Sequence, residues 1–303
     1  MSNLTRRLDL ATALLLAAGS VLAQANLTPI VHVETDVVLV PTVVTDKDYR
    51  PVFNLREDQF ELRVDRNVTS VEGFWKETGP VSVVVVMDAS KSMKSALRHS
   101  REALQGFLKL AQPEDEYALV LCQQSPSVAI PFTSDLTAFS DSFSTVSPAG
   151  STPLFDSIGL ALDLVKQGRH LRRAVLVLSD GADTNSRIKL ASLRSKVLES
   201  GAYLYVLKFW DGRGYDNLDP RPLHDLAALT GGLFFDDVSP KRFAEYFADI
   251  DVHQRYMLAF RSAREEHDNR QHELEVRLRD VTVPKAKVFW RHVYTDSNEP
   301  QLR

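Results

Sequence analysis

The sequence predicts an α/β protein: a doubly wound, mostly parallel six-stranded sheet with helices on both faces, inserted into a small β-sandwich made from N- and C-terminal strands. Three observations predict it. The middle of the chain alternates short apolar runs with amphipathic segments, the pattern of parallel strands joined through helices. Residues 81–92, VSVVVVMDASKS, form an unbroken apolar run that stops on a carboxylate and two hydroxyls. Such a run belongs to a strand buried on both faces. The two ends of the chain instead alternate apolar and polar residues, the mark of antiparallel sheets with one wet face. Neither end carries enough strands to fold alone, so the two are expected to pair around the central domain.

The chain has 303 residues, 44% hydrophobic and 25% charged, which is room for two domains of ordinary globular composition. A net charge of −4 argues against a nucleic-acid partner, which would favour a basic face. Cys122 is the single cysteine, so a disulfide framework within the chain and cysteine metal sites are excluded. It lies in the apolar run 118–122 and reads as a small core residue.

The amino terminus reads as an export signal. Arg6 and Arg7 precede the apolar stretch 10–22, and Ala23-Gln24-Ala25 offers a cleavage site. The stretch is short for a membrane span. The expectation is a periplasmic or secreted protein with a signal peptide at 1–25 and no membrane span after its removal. The sandwich then takes 26–79 and 254–303, and the central domain takes 80–253.

Val31, Val33 and residues 37–44 give strand-like runs rich in β-branched side chains. Residues 46–51 are a turn cluster, and 55–60 a short helical turn leading into a strand at 61–64. Asp65-Arg66-Asn67 makes a hairpin turn, with Asn67 taking the positive φ. A further strand is expected at 70–75. In the centre, helices are expected at 95–110, 154–166, 188–199, 222–229 and 240–250. Thr133-Ser134-Asp135 caps one more, running to Phe143. Strands fall at 117–122, 127–132, 173–179, 203–209 and 233–235, the first two antiparallel at the sheet edge. Toward the end, Tyr256, Leu258 and Phe260 alternate with Met257 and Ala259, and HELEVRLRD alternates apolar with charged residues. One or two more strands follow around Pro284.

Asp88, Ser90 and Ser92 sit just past the carboxyl end of the valine strand, the edge where open α/β sheets bind ligands. The spacing Asp-x-Ser-x-Ser places three oxygen-bearing side chains on one tight turn. Hard oxygen ligands suit a small hard cation, most naturally magnesium. The competing reading is that these residues only cap a helix.

These residues resemble the metal-ion-dependent adhesion site of the von Willebrand factor type A domain, a Rossmann-like fold. Two further segments carry the resemblance: GSTPLFDSI at 150–158 is similar to the family's threonine loop, and VLVLSDG at 175–181 to its strand ending in an aspartate. The resemblance implies a metal site of Asp88, Ser90, Ser92, Thr152 and Asp180. It implies that Ser90, Ser92 and Thr152 ligate through hydroxyls, while Asp88 and Asp180 act mostly through water or by orienting the other groups. Mg2+ is the expected ion, with Mn2+ or Ca2+ as alternatives. Few direct carboxylates leave the cation electrophilic, with a position for a glutamate or aspartate from a protein partner. The framing also resembles a bacterial, largely acidobacterial subgroup with a V-x-D-K-x-G-x-P-V turn. Residues 44–52 fit that turn except that Tyr49 replaces glycine, and Asp58-Gln59-Phe60 has one residue more than the subgroup's Asp-Phe.

Other chemistries fit less well. A dehalogenase-like phosphoryl transfer through Asp88 would want a second acid where Ser90 stands. No G-x-S-x-G elbow is present for a serine hydrolase. His99, His170 and His224 have no motif context, and His272-Glu273 lacks the second histidine of a zinc-peptidase helix. Asp183 and Asn185 read as turn formers. The expectation is a non-enzymatic module that binds protein through a metal, or alternatively an envelope scaffold in which the metal only stiffens loops. The aromatic, glycine-containing loop 210–217 is expected on the partner surface.

Overall fold

The computed structural model describes residues 37–48, 50–209, 219–236, 254–262, 270–280 and 283–295. The expected signal peptide, Tyr49, the loop 210–217 and the helix 240–250 lie outside the described residues. The first half of the chain runs β1 (Val37–Thr45), β2 (Phe60–Val64), β3 (Asn67–Thr69), β4 (Gly73–Thr78), β5 (Ser82–Asp88), α1 (Leu97–Leu108), β6 (Glu116–Cys122), β7 (Ser127–Thr133) and α2 (Leu136–Ser144). It continues through α3 (Leu154–Val165), β8 (Arg173–Ser179), α4 (Leu190–Ser200), β9 (Tyr203–Lys208), α5 (Arg221–Thr230) and β10 (Phe234–Asp236). The last strands are β11 (Gln254–Arg261), β12 (Gln271–Leu278), β13 (Lys287–Trp290) and β14 (Val293–Thr295).

Six strands form the central sheet in the order β10-β9-β8-β5-β6-β7, all parallel except the antiparallel edge strand β7. β5 is buried along its whole length because each face meets helices. Val83, Val85 and Met87 pack with Leu104 and Phe107 of α1 and Phe139 and Phe143 of α2. Val84 and Val86 pack with Leu154 and Ile158 of α3, Leu193 of α4 and Leu226 of α5. The period of two in a strand therefore sorts one valine run into two cores. The helix ends follow local chemistry. Asp135 accepts hydrogen bonds from the N–H groups of Thr137 and Ala138 and starts α2. Gly201 ends α4 in the left-handed conformation.

The chain ends meet as expected. One sheet has the order β13-β1-β11-β4 and the other β14-β12-β2-β3, and all pairings in both are antiparallel. Val40 and Val44 of β1, Leu62 of β2, Leu258 and Phe260 of β11, and Leu274 and Val276 of β12 share one core. Tyr256 stacks on Phe74 with ring centres 5.6 Å apart, and its hydroxyl donates to Val52 O at 2.7 Å.

Three details differ from the sequence expectation. The hairpin turns on Asp65 and Arg66, both at positive φ, and Asn67 already belongs to β3. The expected strand 70–75 is broken: the chain leaves one sheet after Thr69 and joins the other at Gly73, so residues 70–72 cross between layers. β11 has no wet face. Its even-numbered side chains enter the sandwich core, while Arg255, Met257 and Ala259 are buried on the opposite side. That side meets the central domain: the Arg255 guanidinium lies 3.3 Å from the Tyr203 ring centre and donates to the Tyr205 hydroxyl at 3.1 Å. Arg255 and Arg172 both approach Glu77 Oε2, at 3.5 and 3.4 Å. A carboxylate shared between two buried guanidiniums, with an aromatic face against one of them, offsets their desolvation.

Two outcomes are expected. Leu176, fully buried at the centre of β8, should cost about 2–5 kcal/mol when changed to alanine. Leu171, 76% exposed, should stay within about 0.5 kcal/mol, both read by urea unfolding. The second outcome concerns His292, whose N–H bonds Ala228 O at the end of α5. Burial holds its ring below the usual histidine range; His224 adds to the effect, and Asp225 and Glu273 oppose it. The folded state therefore keeps this ring neutral. Its contribution is full above about pH 6.5, the unfolded value, and is lost as pH falls through the lowered folded value. Unfolding midpoints measured between about pH 7 and 5 should fall less for His292→Gln than for the wild type.

Candidate metal centre

β5 ends where its backbone leaves the ladder: Ala89 N–H bonds Cys122 O at 3.0 Å, and the chain turns outward. Asp88 remains fully buried, with both carboxylate oxygens engaged. Oδ1 accepts the Ser90 N–H at 2.9 Å, and Oδ2 accepts the Ser179 hydroxyl at 2.7 Å. Burial pushes this carboxyl up to about 6; the hydrogen bonds from Ser179 and Ser90 oppose the shift, and the charge of Asp180 adds to it.

Ser90 occupies the N-terminal boundary of a short 3-10 turn, Lys91–Lys94, but its side chain caps nothing. Its hydroxyl instead meets the Ser92 hydroxyl at 2.9 Å. The helix-cap reading of Ser90 therefore fails. The separation is that of an ordinary hydroxyl pair, and it is also the edge of an octahedron of oxygens about 2.9 Å apart around an ion with bonds of about 2.0–2.1 Å.

The threonine loop lies directly against this turn. Ala149 N–H bonds Ala89 O at 2.8 Å, and Lys91 N–H bonds Gly150 O at 3.4 Å. Gly150 has φ +75°, and a Cβ there would lie 2.5 Å from Gln124 N, so only glycine allows the approach. Thr152 follows, nearly fully buried. Beside it, Ser151 Oγ is buried with no hydrogen-bond partner among the described residues. The third loop leaves β8 at Ser179. Asp180 is half-buried, and its Oδ1 accepts the Ala182 N–H at 2.9 Å. Thr184 closes the arrangement: its N–H bonds Thr152 O at 2.9 Å, and its hydroxyl accepts the Thr152 N–H at 3.1 Å.

Asp88, Ser90, Ser92, Thr152 and Asp180 therefore lie on three adjoining loops at the carboxyl edge of the central sheet. Among the described residues no group of three or more His, Cys, Asp and Glu side chains is placed to hold a metal. The candidate donors are two carboxylates and three hydroxyls, a hard-oxygen set that fits magnesium or manganese and leaves nothing for a soft ion. The orphaned Ser151 hydroxyl agrees with a polar occupant. Cys122 is a buried core residue, and burial, then Asp88, push its thiol up. His272 lies on β12 rather than a helix, 2.8 Å from Asp65.

Sequence reasoning took Asp183 for a turn former and passed over Asp156, Thr184 and Ser186. Asp183 Oδ1 accepts the Phe155 N–H at 3.1 Å, and Ser186 Oγ accepts the Asp156 N–H at 3.1 Å. Asp156 in turn accepts the N–H groups of Arg187 and Ile188, at 3.0 and 2.8 Å. Only the short polar side chains in 183–186 hinted at this.

Comparison with known proteins gives the same frame. An uncharacterised protein of Borreliella burgdorferi is 27% identical over 180 residues, 50% of this chain and 52% of its own length. The chain thus spans about half the length of that curated relative. A von Willebrand factor type A structure from Catenulispora acidiphila superposes with a TM-score of 0.50 at 11% identity, covering 87% of this chain and 73% of that one. An aerotolerance-related membrane protein of Bacteroides fragilis gives 0.47 at 18% identity, over 55% of this chain and 95% of its own. Residues 83–182 match the family model of the von Willebrand factor type A domain.

Proposed function

We propose that the chain is a non-enzymatic, metal-dependent protein-binding module of an exported protein. In this reading Ser90, Ser92 and Thr152 hold a divalent cation through their hydroxyls, while Asp88 and Asp180 orient those hydroxyls and bound water. When bound, the cation supplies one open coordination position for a partner's glutamate or aspartate carboxylate. The observation that carries the reading is the Ser90–Ser92 hydroxyl pair, unspent on capping and set beside a buried carboxylate. Three neutral hydroxyls leave most of the ion's charge uncompensated, so an incoming carboxylate binds more strongly than in an exposed ion pair.

The surroundings favour an acidic partner. On the flanking segments Asp88, Asp156, Asp180 and Asp183 direct carboxylate oxygens at N–H groups of the chain. Lys91, Lys94, Arg187 and Lys189 are exposed. These exposed cations stand among the carboxylates on a protein whose net charge is −4. Exposed lysine and arginine side chains close to the site can pair with acidic groups of a partner. A nucleophilic role for Asp88 is disfavoured, since the carboxylate is sealed from solvent with both oxygens bonded. No helix among the described residues is long and apolar enough to cross a membrane. Export rests on the leader-like residues 1–25.

The expected behaviour is uptake of Mg2+ or Mn2+ by the purified chain. Changing Ser90 or Ser92 to alanine should weaken it beyond the about 10–100-fold typical of residues behind the ligands. Titration calorimetry measures this. Affinity capture from envelope and secreted fractions should recover a partner in magnesium and lose it in EDTA or with Asp88→Ala. A partner retained under both conditions would favour a scaffold in which the metal only stiffens loops.

A further inference from the structure

The geometry points to residues 183–188 as a cross-loop clasp that sets the affinity of the site, with Thr184 and Asp156 as positioning residues that do not touch the ion. The inference rests on the metal-site reading above and adds residues outside its ligand set.

The N-terminus of α3 has no cap of its own. An α-helix leaves its first N–H groups without partners in the helix, and a Ser, Thr, Asp or Asn at the cap normally takes one. Here the cap position is Pro153, which offers no side-chain oxygen. Thr152, immediately before it, bonds Thr184 rather than the helix. The caps are imported from the loop after β8. Asp183 takes the Phe155 N–H, and Ser186 takes the Asp156 N–H. Ser186 also donates to Asp183 Oδ1 at 2.5 Å, tying the two acceptors together.

The exchange is reciprocal. Asp156, in the first turn of α3, returns its carboxylate to Arg187 and Ile188 N–H. It is the logic of a capping box distributed over two loops instead of one turn. The last link joins the two threonines directly: Thr184 and Thr152 hold each other through one N–H···O=C bond and one N–H···Oγ1 bond. Thr152 is 3% exposed, so its N–H has little access to water if Thr184 Oγ1 is removed.

This wiring frees the hydroxyl of Thr152. Had Thr152 itself been the cap, its oxygen would be committed to α3; with the caps supplied from 183–186, it remains available as a ligand. The same contacts tie down the segment that follows Asp180, so one clasp fixes the spacing between the second and third loops. Groups that orient ligands this way are worth about 10–100-fold in metal affinity.

The test is calorimetric titration of MgCl2 into the full chain, with thermal unfolding of the metal-free protein alongside. Thr184→Val keeps the shape and the N–H but removes the acceptor. It should bind Mg2+ about 10-fold more weakly or worse, and the metal-free midpoint should fall modestly, because the buried Thr152 N–H loses its acceptor. Thr184→Ser restores the hydroxyl and should recover wild-type affinity. Asp156→Ala should lose affinity too, and combining it with Thr184→Val should cost less than the sum, because both act on one unit. Wild-type binding together with unaltered affinity in Thr184→Val and Asp156→Ala would overturn the clasp and leave the metal site standing. A wild-type chain that takes up no Mg2+ would overturn the metal site itself, and the clasp's role with it.

Discussion

A carboxylate carried into the interior at the end of a strand buried on both faces must find its hydrogen bonds within the protein. Asp88 is in that position, and much of the surrounding architecture follows from it. One oxygen draws the chain back through the Ser90 N–H and forces the turn that brings Ser90 and Ser92 together. The other reaches across to Ser179 at the end of the neighbouring strand β8. That second bond ties the first and third loops together, because the next residue is Asp180. Parallel pairing of β5 with β8 sets both strand ends at one height.

The remaining architecture serves to hold that edge still. α3 packs under β5 and β8 through Leu154, Ile158 and Leu162, which sets the height of the threonine loop. Gly150 lets that loop close against Gln124. On the opposite side of the central domain, the sandwich is attached through buried contacts: Arg255 on Tyr203 and Tyr205, and Glu77 between Arg255 and Arg172. Val43 of β1 also packs into the core beside α1 and α2. These contacts continue from the central domain into the sandwich, as a strand buried on both faces requires.

The central sheet was legible in the sequence because β5, β6, β8 and β9 are apolar on both faces, and β5 and β8 end on Asp88 and Ser179. The hydroxyl turn was legible because Asp88, Ser90 and Ser92 follow directly on four valines and Met87. What could not be read depends on tertiary partners. β11 alternates as a half-wet strand does, yet its second face is covered by another domain, and Arg255 is buried there because aromatic rings await it. The break at 70–72 is invisible because β-propensity is continuous across the change of sheet. The positive φ fell on Asp65 and Arg66 instead of the more permissive Asn67, because Val64 pairs with Asn67 across the β2–β3 hairpin and leaves those two residues as the turn. The bonds joining Asp156 to residues 187 and 188 span some thirty positions, and no local pattern announces them.

The account stands on the hydroxyls of Ser90, Ser92 and Thr152 sharing one cation. Diffraction from crystals of the full chain soaked in manganese, recorded near the manganese absorption edge, tests this most directly. The account predicts one anomalous peak at about 2.0–2.3 Å from all three oxygens, with Asp88 and Asp180 reaching it through water or from behind the ligands. No peak at the end of β5, or a peak held by other side chains, would contradict it.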